Sequence, residues 1–351
     1  MTPALAIHQD LVHQVQYNCD ISDAQHAGNF TLCIYLLKMR EYFRWMQELD
    51  YADTLDNEAM GQWLRDKEET WDRVIDQPFQ PISIGDREYD PFDHGAINQV
   101  INAGGLFYHA GIGQKATQHF MLGQLVEQRE LDGIQVFISG DEYARDLTAP
   151  PAVSTVDSMV IRRQSLQRMC WERYQEWNWS RLDNPMGKAL SFYPFEQSIA
   201  DALQQMVEKE LDTLIQHELG EVLIGRQHGE QWRPIMTRIL GTRAELLARA
   251  VRDHYADCLT TLPFLCARND SASLHFYFAN LTALRKQVFP RAMSAYHRWA
   301  KSGDISILTD LAQESLDHWR DTFQQLLEIG ADSAQNSADQ ICLAIDNATL
   351  T

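Results

Sequence analysis

The sequence predicts a mainly α protein, with a small N-terminal α+β domain followed by a C-terminal helical bundle. Three observations predict it. Apolar residues recur at helical spacing through four long segments after residue 195. Short apolar runs punctuated by Gly104-Gly105 and Asp132-Gly133 crowd into the first half. Between the halves stands Pro150-Pro151, which forbids a continuing helix. The expected division is therefore an α+β domain over 1–150 and a bundle over 151–331. Residues 332–351, polar and rich in small side chains, are expected to form a flexible tail.

A chain of 351 residues has room for two cores. Its 45% hydrophobic and 23% charged residues are those of an ordinary globular protein. Thirty Lys and Arg against 49 Asp and Glu give a formal charge of −19. That balance argues against nucleic acid or an anionic membrane as the main partner, because phosphate binding needs concentrated positive charge. It leaves a protein partner, a homo-oligomer or a small-molecule ligand. His8, Asp10 and His13 interrupt the N-terminus where a signal peptide needs an apolar run, and no segment has the length of a membrane span, so a cytoplasmic location is expected. The six cysteines are scattered and include no CxxC pair, which reads as free thiols.

In chain order, Asp20-Ile21-Ser22-Asp23 offers capping residues for a first helix from about Ser22 to Leu49. Cys19, His26 and Cys33 lie at spacings with no established ligand pattern, because zinc sites bring ligands together as close pairs. Met60, Trp63, Leu64, Trp71 and Val74 predict a second helix over 57–74. Pro81 to Asp86 reads as a short strand leading to a turn, and His94 to Ala103 as a short helix. Leu106 to Tyr108, His119 to Leu125 and Ile134 to Ser139 read as strands, the last two joined by Asp132-Gly133, whose central residues suit the positive φ of a tight hairpin. The stretch Gly111 to Thr117 has glycines and a lysine but lacks the spacing of a phosphate loop, and reads as a plain hairpin loop. Arg145 to Ser154 is the expected linker. A strand over 156–161 and an aromatic-rich helix over 162–179 come next. Long helices are then expected over about 195–225, 234–267, 272–301 and 305–330.

The chemistry concentrates on the first two of these. At about 100° per residue, Ile199, Leu203, Met206, Leu211 and Leu214 share one side of a helix with Glu210, His217, Glu218 and Glu221. On the second, His254 lies within the apolar stripe, with Asp253 and Asp257 at its edge. Two neighbouring helices thus present histidines and carboxylates inward, as in bundle metal sites. Neither carries the usual Glu-x-x-His. His217-Glu218-Leu219-Gly220-Glu221 matches the zinc-protease HExxH only as far as its Glu. A competing partner is Arg285, which falls in the apolar stripe of the third helix and can hold Glu218, Glu221 or Asp257 ionised. Glu314 and His318 sit at the edge of the fourth stripe and read as solvated.

Several blocks bear a resemblance. Cys19-Asp20-Ile21-Ser22-Asp23-Ala24-Gln25-His26-Ala27-Gly28, His217 to Glu221, Thr242 to Leu247 and Leu274 to Asn280 together resemble an uncharacterised proteobacterial two-domain family of unknown function. The resemblance implies the two-domain division and assigns no activity.

The leading expectation is therefore a binding or scaffold protein. In it Glu210, Glu218 and Asp253 form a structural ion-pair network with Arg285. The alternative is a metal-dependent enzyme holding Fe, Mn or Zn on His217, Glu221, His254 and Asp257. A pocket for a small anionic or polar ligand is a third reading.

Overall fold

The protein is described from a computed structural model covering residues 3–113, 117–331 and 337–350. Helix dominates, and a five-stranded sheet lies in the N-terminal half. The chain divides into two compact units that interleave in sequence. One takes Met1–Leu131, Gln135–Pro151 and Val160–Trp171; the other takes Asp132–Ile134, Ala152–Met159 and Glu172–Thr351.

The first unit opens with α1 (Pro3–His26), a short 3₁₀ turn (Ala27–Asn29) and α2 (Leu32–Met46). The expected single helix over 22–49 is thus two helices broken around Gly28 and Asn29. Its supposed capping residues are helix interior: the Asp23 carboxylate accepts the Leu147 N–H at 2.8 and 3.1 Å, and Ser22 donates to the Gln118 carbonyl. They bond across the fold and do not start a helix. Helix α3 (Asn57–Val74) is as expected, its first turn capped by the Asp56 carboxylate. A hairpin of β1 (Ile82–Ile84) and β2 (Arg87–Tyr89) and helix α4 (His94–Ile101) follow.

The sheet runs in the order β3-β4-β5-β7-β6, from β3 (Leu106–Ile112), β4 (Gln118–Leu131), β5 (Ile134–Arg145), β6 (Ala152–Ser154) and β7 (Ser158–Arg162). Strands β4 and β5 are longer than their apolar runs, and turn at Asp132 and Gly133 with φ of 50° and 71°. Residues 114–116 of the glycine loop lie outside the described residues. Helix α1 packs Leu11, Val15 and Cys19 against Tyr108, Ala110, Phe120, Leu122 and Ala144 of the sheet, and Ile97 and Ile101 of α4 join this core. The expected linker is not one. Arg145, Asp146 and Leu147 are buried, and β6 lies within it. Glu142 of β5 accepts from Arg162 Nε and Nη2, both at 2.9 Å, from Ser165 at 2.7 Å and from Arg145 Nη1 at 3.5 Å, so the start of this segment is tied into the interior by a charge-assisted bond.

Helices α5 (Arg163–Ser180) and α6 (Pro185–Leu190) lead to α7 (Ile199–Arg238), which runs 40 residues and passes through Pro234, where a break was expected. Proline removes one backbone bond, but Trp232, Ile235 and Met236 stay in the core on either side of it, and that packing carries the helix through. Helix α8 (Arg243–Ala256) is capped by Thr242, while Glu245 reaches back to the Gly241 N–H at 2.8 Å. A π-helical turn (Asp257–Thr261) joins it to α9 (Leu262–Arg268). The expected third helix is three: α10 (Ser271–Asn280), α11 (Ala283–Val288) and α12 (Pro290–Ser302), broken where Thr282 caps α11 and Pro290 opens α12. Helices α13 (Ser306–Ala331) and α14 (Ser337–Asn347) complete the unit.

Much of the expected tail is therefore helix. Ile341 and Ile345, one turn apart, are fully buried in the same core as Trp319, Phe323 and Leu326. Helix α7 comes very close to the π-helical turn at Gly220, where a Cβ would lie 2.6 Å from Thr260 Oγ1 and 2.7 Å from the Ala256 carbonyl oxygen. Among the described residues no helix is long and apolar enough to cross a membrane.

Candidate functional site

Asp257 is the centre of the polar interior of the second unit. It opens the π-helical turn, with its side chain 1% exposed. A buried carboxylate stays ionised only where donors and cations replace water. Three elements supply them. His217 of α7 donates from Nδ1 to Oδ1 at 2.8 Å, the Tyr277 hydroxyl of α10 donates to Oδ2 at 2.8 Å, and Arg285 of α11 donates to the same Oδ2.

The electrostatics follow from this packing. Burial disfavours the Asp257 charge, but Arg285 and His217 outweigh it and hold the carboxyl far below the usual range. Burial likewise opposes the His217 charge, and the Asp257 carboxylate overcomes it, lifting the imidazole to about 10. His217 is therefore an imidazolium whose second N–H, Nε2, lies 3.6 Å from Glu221 Oε1. Glu221 is shared with Arg252 of α8 at 2.8 Å. Glu218, buried and beside the Glu221 carboxylate, is pushed up to about 7. Asp253 is raised by burial, against the pull of Arg285.

Both ring nitrogens of His254 bond Arg285. Arg285 Nη2 donates to its Nδ1 at 3.3 Å, which leaves the proton on Nε2, and Nε2 donates to the Arg285 carbonyl oxygen at 3.0 Å. Burial and the adjacent guanidinium push it down to about 3, so it is neutral. Its ring also stacks on Trp319, with centroids 5.1 Å apart.

The structure thus gathers His217, Asp257, Arg285, His254 and Asp253, with Glu221 and Glu218 beside His217. Arg285 takes Asp257, while Glu221 pairs with Arg252. Glu210, seven residues before His217 on α7, bonds Ser273 at 2.8 Å and is raised by burial to about 7. Among the described residues no group of three or more His, Cys, Asp and Glu side chains is arranged to hold a metal ion. Away from this interior, Glu314 pairs with Arg291 and His318 bonds the Ala348 carbonyl.

Three participants, Ser273, Tyr277 and Arg252, were not found from the sequence. Ser273 and Tyr277 lie one turn apart on α10 and reach Glu210 and Asp257, which lie on different elements. Hydroxyls at that spacing inside the apolar run Leu274 to Phe278 were the available signal. Arg252 carried none, since it reads as an exposed charge beside Asp253. A second set was missed in the first unit, where His94, His109 and His119 stack on one another. They come from a helix and two strands, and no linear spacing joins them.

Residues 10–162 match the family model described as the N-terminal domain of a family of unknown function (DUF6866), and residues 167–348 match that of its C-terminal domain. No curated protein and no solved structure matches the chain.

Proposed function

The chain belongs to this two-domain family of unknown function, and from that premise we propose that it is a cytoplasmic binding or scaffold protein whose C-terminal helical bundle is held together by the Asp257 network. One observation carries the reading: both Asp257 oxygens are already taken, by an imidazolium, a phenol and a guanidinium from three different helices. A carboxylate so saturated must give up a charged partner before it can ligate a metal. His254, whose two nitrogens both bond Arg285, is bound by the same constraint. The arrangement is that of a clasp between α7, the α8–α9 junction, α10 and α11.

The metal-dependent alternative needs His217, Glu221, His254 and Asp257 to converge on one ion, which requires Arg285 to swing away. Metal analysis of the untagged full chain separates the two. A content far below stoichiometric in Fe, Mn and Zn, unchanged by Asp257→Asn, is expected; a stoichiometric metal lost in that variant would overturn the binding reading.

A further inference from the structure

The first unit has a polar interior that the Asp257 clasp does not explain. His94 is the first residue of α4, His109 lies in the middle of β3 and His119 near the start of β4. The register pairs Gly111 with His119 and His109 with Met121, so His109 and His119 are diagonal neighbours on one face of the sheet. Their rings stack at 5.2 Å and 15°, and His94 stacks on His109 at 4.9 Å and 29°. Gly111 makes room for this: a Cβ there would lie 2.9 Å from His119 Cε1 and 3.3 Å from His109 Cε1.

The hydrogen bonding of this stack is incomplete. His119 Nε2 and His109 Nδ1 share one bond at 3.2 Å. His109 Nε2, His94 Nδ1 and Arg162 Nη1 are buried without a partner among the described residues. His109 is 3% exposed and Arg162 1%. Leaving a buried polar atom unpaired costs about 1–3 kcal/mol; because Arg162 and His94 both act electrostatically on His109 and His119, the three share one neighbourhood, which something polar fills. Arg162 uses Nε and Nη2 on Glu142, so Nη1 is the remaining donor of a planar cation. The nearby carboxylates are occupied: Asp146 accepts Phe120 N–H and Ala149 N–H, and Asp23 accepts Leu147 N–H. The facing nitrogens of His109 and His119 bond each other at 3.2 Å, which leaves no gap for an ion between them and disfavours a metal.

We propose that this interior binds a small carboxylate-bearing molecule, which pairs with Arg162 Nη1 and hydrogen-bonds the free nitrogens of His109 and His94. The shared His109–His119 bond adapts the site. If His119 Nε2 donates, His109 Nε2 carries a proton and becomes a donor; if His109 Nδ1 donates, Nε2 becomes an acceptor. Passing from one form to the other changes the tautomer of both rings and leaves both neutral, so His109 Nε2 can meet a carboxylate oxygen as a donor or a hydroxyl as an acceptor. Burial and the neighbouring His119, His94 and Arg162 hold the His109 imidazole well below its ordinary range, so it meets a ligand as a neutral ring.

This inference rests on the reading that the protein acts by binding, and it can fail separately. The test uses the full chain with ¹⁵N-labelled histidines, titrated with sodium acetate, sodium chloride at equal ionic strength and zinc chloride. Acetate is expected to shift the His109 ring nitrogens saturably and raise the thermal midpoint, while chloride does neither. His109→Phe, which keeps a ring in the stack, should weaken acetate binding about tenfold. Equal responses to acetate and chloride, or no saturable acetate shift in a folded protein, would mean that buried water fills the site and would overturn the proposal. So would stoichiometric zinc binding lost in His109→Phe. A metal found on Asp257 and His254 would instead sink the binding reading and leave the acetate result standing.

Discussion

One guanidinium nitrogen, Arg285 Nη2, donates both to Asp257 Oδ2 and to His254 Nδ1. Arg285 therefore fixes the charge of one and the tautomer of the other. Arg285→Met keeps the apolar stem but leaves a buried carboxylate short of its main cation. A loss of about 3 kcal/mol is expected, typical of breaking one side of a buried pair, read from urea denaturation of the full chain. Arg285→Met with Asp257→Asn should recover part of it. A single variant as stable as the parent would show that Arg285 holds nothing together.

The glycine of the HELGE stretch is where α7 meets the π-helical turn. Gly220→Ala places a methyl 2.6–3.0 Å from Thr260 Oγ1 and from the Ala256 oxygen and Cα. Two of these are backbone atoms and cannot rotate away. The expected cost is about 1–3 kcal/mol from overpacking, measured as a lower denaturation midpoint. Gly225→Ala, on the same helix with nothing within 4 Å, should be neutral or slightly stabilising.

Stability should fall as pH rises, in two windows. His217 has its folded value raised from 6.5 to about 10. Its stabilisation is full below about 6.5 and is lost as pH climbs towards 10, because the folded state there binds more protons than the unfolded. Glu218 is an acid raised from 4.5 to about 7. The unfolded carboxyl ionises first, so its destabilising effect builds between 4.5 and 7. His217→Gln should flatten the alkaline window and Glu218→Gln the acid one, read from thermal midpoints between pH 4 and 10. A profile unchanged by both variants would sink this account.

Removing residues 332–351 should destabilise the second unit. The deletion uncovers Leu326 and Leu327 and discards the buried Ile341 and Ile345. It also discards Leu350, whose N–H donates to Val288 O and whose carbonyl accepts from Arg291 N. Burial of two isoleucines alone is worth about 3 kcal/mol or more. Calorimetry showing an unchanged midpoint would restore the picture of a dispensable tail.

The sequence made the helices visible and hid the connections between them. Helix α3 was legible because Trp63, Trp71 and Val74 repeat at helical spacing. The α1–α2 break was not, because Asp23 looks like a cap until Leu147, 124 residues away, is seen to use it. Helix α14 was hidden because only Ile341, Ala344 and Ile345 mark its buried face in a polar stretch. At the candidate site, inward His217, His254, Asp257 and Arg285 could be placed from helical phase. Which carboxylate Arg285 takes could not, because that depends on a π-helical turn that puts Asp257 at the junction and on a short α11 that periodicity merged with its neighbours.

The interleaved division of the chain has a consequence for how it is made. When Pro151 leaves the ribosome, the first unit still lacks Val160–Trp171. Glu142 has emerged, and the Arg162 that will grip it, 20 residues later, has not. Until then the cation against Glu142 is Arg145, whose Nη1 lies 3.5 Å from it, while the β6 segment, which belongs to the second unit, is synthesised. A gene fragment ending at Pro150 would encode a first unit whose Glu142 keeps Arg145 but lacks the closer Arg162 guanidinium and the Ser165 hydroxyl.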